Sequence, residues 1–301
     1  MNDHICIATA LNNRMRVYAA VTTETVEEAR KRHDLSPIAS AALGRTLTAT
    51  VIMASWLKSE NNSITIQING RGPLGRIVTV SDPDANVRGY VENPYVETVE
   101  KEKGKLDVAF GVIGDIPENM KSKKDLGYIS VIRDMGLKDP YIGLANLVSG
   151  EIGEDFAHYL ALSEQILSVV ALGVLIEKDL SIKAAGGFII QLMPGATEED
   201  VSYIETRIKN IPSVTGMLND GMTPEDILRD IFEDINVMET RECRFKCSCS
   251  REKMERNLMA LGKDEISAMI EEQDSAELIC HFCNERYMFS KEEFTGLLTG
   301  L

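Results

Sequence analysis

Basic residues are in short supply in this chain. Lysine and arginine number 32 against 47 aspartates and glutamates, leaving a formal charge of −15. Phosphate backbones and anionic bilayers select Lys and Arg, so neither a nucleic acid nor a membrane is an expected partner. Long apolar runs are also missing: the candidate Val169–Ile176 stops at Glu177-Lys178, far short of the roughly 20 residues a membrane helix needs. The first residues, Met1 to Ala10, lack the charged start and apolar run of a secretory leader. The expectation is a cytoplasmic protein, and in a reducing compartment thiols rather than permanent disulfides are the resting state.

Signs of catalysis are equally sparse. There are four histidines, and His4, His33 and His158 have no nucleophile beside them in sequence. No phosphate loop ending in Gly-Lys-Ser/Thr is present. Gly70-x-Gly72-x-x-Gly75 matches a dinucleotide fingerprint formally, but Pro73 intervenes and Ile77-Val78-Thr79-Val80 reads as a strand where the fingerprint needs a helix. A tight strand connection is the better reading, and no enzyme activity is expected. With 44% hydrophobic and 26% charged residues, the chain has the composition of a globular protein with one large domain and room for a smaller one.

The pattern predicts an α+β protein in three parts. Residues 1–194 read as a large α/β domain with sheets packed on helices. Ile5–Ala10 and Met15–Val21 are strands joined by a hairpin at Asn12-Asn13-Arg14, and Thr22–His33 is helical. Ser36-Pro37 opens a long helix rich in small residues, reaching about Leu57. Strands follow at Ser63–Asn69, Arg76–Ser81 and Val87–Glu92. A second strand-and-helix group covers Leu106–Ile113, a strand at Gly127–Arg133, a helix at Ile152–Leu162, and strands near Leu172–Ile176 and Ala184–Leu192. Pro194-Gly195 closes the domain.

Residues 195–242 read as a helical acidic linker. Thr197 and Thr223 each precede acidic residues at a helix start, which favours the positive end of the helix dipole. Val201, Ile204, Ile208 and Ile211 recur at helical spacing, as do Ile227, Leu228, Ile231, Phe232 and Ile235. The stretch from Thr197 to Glu242 carries 12 acidic residues and four basic ones, so these helices are amphipathic with charged outer faces. One reading is a plain connector packed on the first domain. The sharper one is a segment of marginal stability, folded only while both neighbours are folded.

Residues 243–301 form a cysteine module. Five of the six cysteines lie here: Cys243, then Cys247-x-Cys249, and after 30 intervening residues Cys280-x-x-Cys283. Residues two apart on a strand face one way, and a Cys-x-x-Cys turn converges two sulfurs. Four thiolates in two close pairs suit one zinc ion held tetrahedrally at about 2.3 Å. The same closeness permits disulfides once the metal leaves. Zinc can be a plain staple for a small domain, or the thiolates can be a redox switch, helped by the basic neighbours Arg244, Lys246, Arg251 and Arg286. Cys243 reads as an incidental thiol or a substitute ligand, and Cys6 as a small buried hydrophobe. His281 is not needed, because four sulfurs complete the shell. Ser250 is expected to cap a helix through Met259, Gly262 to end it, and Ser290 with Glu293 to form a capping box.

The stretch Phe245-Lys246-Cys247-Ser248-Cys249-Ser250 with Cys280-His281-Phe282-Cys283 resembles the 33-kDa heat-shock protein family of redox-regulated holdase chaperones. So do Ala41-Ala42-Leu43-Gly44-Arg45-Thr46, Gly70-Arg71-Gly72-Pro73-Leu74-Gly75 and Ala185-Gly186-Gly187-Phe188. The resemblance covers essentially the whole chain. It implies a cytoplasmic chaperone that uses no ATP and is inactive while reduced and zinc-bound. It further implies that oxidation forms Cys247–Cys249 and Cys280–Cys283 disulfides, releases zinc and unfolds the linker. Unfolding client proteins are then bound, commonly by a homodimer. Cys243 departs from the four-cysteine pattern and leaves the uniqueness of that pairing open. The alternatives are a zinc-ribbon adaptor with a purely structural metal and, last, a catalytic zinc or thiol oxidoreductase, which needs an open metal position.

Overall fold

The computed structural model describes residues 2–101, 105–115, 126–272 and 274–299. The chain forms two compact units, Met1–Lys246 and Cys247–Leu301. The first begins with a hairpin of β1 (His4–Ala10) and β2 (Met15–Val21), whose turn residues Leu11, Asn12 and Asn13 all take positive φ. Asn tolerates that conformation because its short side chain bonds locally. Next come α1 (Thr23–His33) and α2 (Pro37–Ala54), then the meander β3 (Ser63–Gly70), β4 (Arg76–Ser81) and β5 (Asn86–Val91). The short pair β6 (Glu100–Lys101) and β7 (Lys105–Leu106) leads to α3 (Val108–Ile113). The unit continues through β8 (Gly127–Asp134), β9 (Tyr141–Asn146), α4 (Ile152–Leu162), β10 (Ser168–Ile176) and β11 (Ile182–Leu192). It ends with α5 (Glu198–Asn210), α6 (Val214–Asn219), α7 (Pro224–Ile231), β12 (Asn236–Glu242) and β13 (Arg244–Phe245).

Two sheets organise this unit. One has the order β10-β11-β2-β1-β12, all antiparallel; the other has the order β13-β5-β4-β3-β8-β9, with β13 parallel to β5. Helix α2 touches both, and only Pro37 and Arg45 of its residues escape burial. A helix apolar on every side belongs in a core. Among the described residues α2 is the one helix long and apolar enough to cross a bilayer, yet 89% of it is buried inside the protein. Its buried hydroxyls are satisfied locally: Thr46, Thr48 and Thr50 donate to the carbonyls one turn back at 2.8, 2.9 and 2.6 Å. Ser36 occupies the N-cap position without capping; its Oγ instead accepts from the Val96 N–H at 3.2 Å.

The glycine motif at 70–75 is a packing device, as its strand context suggested. A Cβ on Gly70 would lie 1.9 Å from the Val112 carbonyl oxygen, and one on Gly72 2.4 Å from that of Gly111. The β3–β4 turn therefore presses its backbone against α3, where the Gly72 and Leu74 N–H groups donate at 2.8 and 3.0 Å.

The central strands of the five-stranded sheet, β11, β2 and β1, are buried on both faces. Alternate residues Ile5 and Ile7 of β1, Tyr18 and Ala20 of β2, and Ile189 of β11 join the core built around α2. Their neighbours Cys6, Ala8, Met15, Val17, Phe188 and Ile190 point the other way, into a second core. That core is completed by Ile204 of α5, Val214 and Met217 of α6, Ile227 and Leu228 of α7, and Phe232. Capping boxes start α5 (Thr197 with Asp200) and α7 (Thr223 with Asp226).

The stretch 195–242, read as a helical linker with its second apolar run reaching Ile235, is corrected at its end. Helices stop at Ile231, and Asn236–Glu242 is an edge strand on β1. Its residues are exposed or half-exposed, so its sequence carries no inward-facing periodicity from which a strand could be read. Strand β9, the short helix α6 and, in the second unit, the strand Ser275–Ile279 also lie outside the sequence expectations.

The second unit contains α8 (Arg251–Met259), α9 (Lys263–Glu272), β14 (Ser275–Ile279), β15 (Arg286–Ser290) and α10 (Lys291–Thr299). β14 and β15 form a hairpin. Leu258, Ile266, Ala276, Phe289 and Phe294 make its small core. Ser250 caps α8, Gly262 takes φ +92 between the helices, and Ser290 and Glu293 exchange backbone bonds at the start of α10.

Candidate metal centre

All four ligand candidates meet in the second unit. Cys247 and Cys249 sit on the extended segment before α8; Cys280 and Cys283 sit at the β14–β15 turn. That turn is closed by the Cys283 and Asn284 N–H groups donating to the Cys280 carbonyl at 3.2 and 2.7 Å, with Asn284 at φ +56. The fold of the hairpin thus aims two sulfurs at one point. Lys253 Nζ donates to the Ser248 carbonyl and ties the Cys-Ser-Cys segment to the first turn of α8.

The four Sγ atoms lie within 4.8 Å of one another. Cys247 approaches Cys280 at 3.8 Å and Cys249 approaches Cys283 at 3.4 Å. A tetrahedron with metal–sulfur arms of ~2.3 Å has edges of about 3.8 Å. The sulfurs are spaced as such a shell requires, and all are free thiols. Cys280 and Cys283 are buried and the other two half-buried.

Electrostatics favours a cation among them. Burial pushes the Cys247 thiol up to about 11 and the Cys283 thiol higher still. For Cys249 burial opposes ionisation too, but hydrogen bonds from Tyr287 and the neighbouring thiols outweigh it and hold this thiol below its ordinary range. Clustered thiols resist charging together because each thiolate repels the next, and a bound cation reverses that repulsion. The four cysteines can therefore hold a metal ion.

The neighbours differ from expectation. Arg251 pairs with Glu293 and stacks on Phe289 at 4.3 Å, and Arg286 pairs with Glu277 at 3.2 Å. Arg244, in the first unit, donates to Asn86 at 3.0 Å, while the Lys246 backbone N–H donates to the Val87 carbonyl. A phenol takes the place expected of a cation: Tyr287 Oη donates to Cys249 Sγ at 3.1 Å. Sequence reasoning missed it. The available signal was an aromatic residue on the strand just after Cys283.

Cys243 stands apart in role. It is buried in the first unit's core, its Sγ 3.6 Å from the Val21 carbonyl, and burial raises its thiol far above the ordinary range. Cys6 is fully buried and pushed up to about 12 by burial and by Glu225. Both read as apolar fillers. His281 is exposed.

A mixed α+β chain ending in a compact four-thiol module is the class these features define. The sequence profile of the Hsp33 protein family matches residues 3–290. Relatives named 33 kDa chaperonin include one from Ruminiclostridium cellulolyticum, 49% identical over 99% of this chain and 98% of its own length. Another, from Bacillus cereus, is 45% identical over the full length of both. The crystal structure of the 33 kDa chaperonin (heat shock protein 33 homologue) from Thermotoga maritima matches with a TM-score of 0.89 at 41% identity, covering 100% of this chain and 99% of that one. This chain belongs to the Hsp33 family.

Proposed function

We propose that this protein is a holdase chaperone gated by oxidation of its cysteine cluster. The carrying observation is the convergence of four thiols within 4.8 Å in a unit with a small apolar core. Zinc is the proposed ion, held by Cys247, Cys249, Cys280 and Cys283, because four soft sulfur donors in a closed tetrahedral set match its preference. In such a unit the metal contributes on the order of 10–16 kcal/mol to folding.

A peroxide is the proposed oxidant class. Each pair of thiols gives two electrons and two protons to one peroxide, forming one S–S bond and two waters. Family resemblance favours Cys247–Cys249 and Cys280–Cys283. The sulfur positions also bring Cys247 to Cys280 and Cys249 to Cys283, so peptide mapping of the oxidised protein tests the pairing. Disulfide sulfurs are poor ligands, so the second unit loses its metal and its fold.

The consequence proposed for 195–242 follows from chain continuity and weak attachment. β12 and β13 run directly into Cys247, and β12 buries little. Detaching 195–242 uncovers the sheet face of Ala8, Met15, Val17, Phe188 and Ile190 together with the apolar sides of α5–α7. The acidic excess of the freed segment keeps the open form soluble. On this reading the organisation is a 1–194 core, a 195–242 linker and a 243–301 switch. The partners are unfolding polypeptides, the active form is a homodimer, the location is the cytoplasm, and no catalytic turnover is involved.

The test follows zinc content, free thiols and suppression of client aggregation together during peroxide treatment. The expected outcome is that suppression appears only as zinc and thiols are lost. Equal suppression by reduced and oxidised protein removes the gating, and loss of a pre-existing activity on oxidation favours a binding module with a structural metal.

A further inference from the structure

We infer that Tyr287 is a positioning residue for the switch: its hydroxyl restrains Cys249 and slows the first oxidation of the cluster. This inference rests on the reading of the four cysteines as an oxidisable metal–thiolate site. Three features of the structure carry it. Tyr287 Oη donates to Cys249 Sγ at 3.1 Å. The Tyr287 ring packs against the small core of the second unit, so the hydroxyl is held in place by packing. The contact also spans the two halves of the site, because Tyr287 rides on β15 with the Cys280–Cys283 turn while Cys249 precedes α8. Cys249 takes a side-chain donor, so its bond can be removed without disturbing the backbone.

The chemistry sets the sign. A cysteine sulfur attacks one peroxide oxygen with a lone pair; the O–O bond breaks, and the departing oxygen leaves as water after taking a proton. The sulfur is left as a sulfenic acid. A second cysteine sulfur then attacks it, the S–S bond forms, and a second water departs. An O–H bond donated to the Cys249 lone pair withdraws the electron density that the first step uses, and it must break before attack. A metal-bound sulfur is already deprotonated, so the donor lowers nucleophilicity without assisting ionisation.

The test uses the full-length, reduced, zinc-loaded protein and Tyr287→Phe, which keeps the ring. Zinc release under hydrogen peroxide, followed with a chromophoric chelator, is expected to quicken about three- to tenfold, the scale of one lost hydrogen bond. Zinc stoichiometry is expected to stay the same. At substoichiometric peroxide, mass spectrometry is expected to find a larger share of the first oxidation at Cys249. In the cobalt-substituted protein the sulfur-to-metal charge-transfer band is expected to move to lower energy, a readout that a merely structural role leaves in place. An unchanged or slower release with an unmoved band overturns the inference. So does loss of zinc binding in Tyr287→Phe, which makes the hydroxyl a requirement of assembly. If the parent protein itself releases no zinc under peroxide, the switch reading fails, and that result is distinct from parent and variant behaving alike.

Discussion

The unit Met1–Lys246 wraps a helix, buried almost all round, between two sheets and covers the outer face of one sheet with three more helices. The unit Cys247–Leu301 gathers a small core beside four thiols. Apolar burial of the first kind is spread over many residues, so no single side chain decides whether the unit folds. The second unit is shorter than the ~70 residues at which a lone core usually suffices, and on the proposed function its stability is concentrated at the four thiols. Concentrated stability can be withdrawn by one chemical event. On the proposed function, that contrast is why a small four-thiol module would suit a switch and a large layered domain a scaffold.

The largest effect expected from this contrast is at the cluster. Cys280→Ser, or chelation of a bound metal, should unfold the second unit and loosen 195–242 while the 1–194 core stays folded, a loss on the order of 10 kcal/mol centred on the second unit. Amide NMR spectra or hydrogen exchange resolved by peptide check it; uniform loss of structure in both units breaks the contrast. Next comes Phe232→Ala in the core beneath α7. Removing a fully buried aromatic should cost about 3–5 kcal/mol, seen as faster exchange in α5–α7 with little change in β3–β5.

A pH-dependent effect follows. Arg14 bonds both oxygens of Asp200, at 2.7 and 2.8 Å, and holds its carboxyl well below the usual carboxylate range. A carboxyl depressed in the folded state stabilises above its unfolded value, 3.8, and that contribution is lost as pH falls below it. Acidification below about pH 4 should therefore loosen α5, and Asp200→Asn should flatten that response in exchange measured from about pH 4 downward. The smallest effect is Thr223→Ala at the α7 capping box, about 1 kcal/mol in urea unfolding of the first unit.

Much of the local structure was legible because its causes are local. The hairpin at Asn12-Asn13, the starts of α5 and α7 at Thr197 and Thr223, and the Ser290–Glu293 box each depend on residues a few positions apart. The cysteine pairs were legible for the same reason, since spacing alone aims two sulfurs one way. β12 was not, because Asn236–Glu242 becomes a strand only by bonding to β1, over two hundred residues away. Small residues such as Ala8 and Ala19 gave no hint that β1 and β2 are covered on both faces.

By itself the sequence determined the chemistry available: four thiols in two pairs, an acidic excess, and helix starts written in neighbouring residues. Only the tertiary structure decided which groups meet. It placed the sulfurs within 4.8 Å, set Tyr287 against Cys249, sank Cys243 in the first core and committed Arg251 and Arg286 to carboxylates. The physical reason is range. Caps and turns act over a few residues, whereas burial, hydrogen bonding to sulfur and ion pairing depend on distances that folding alone sets.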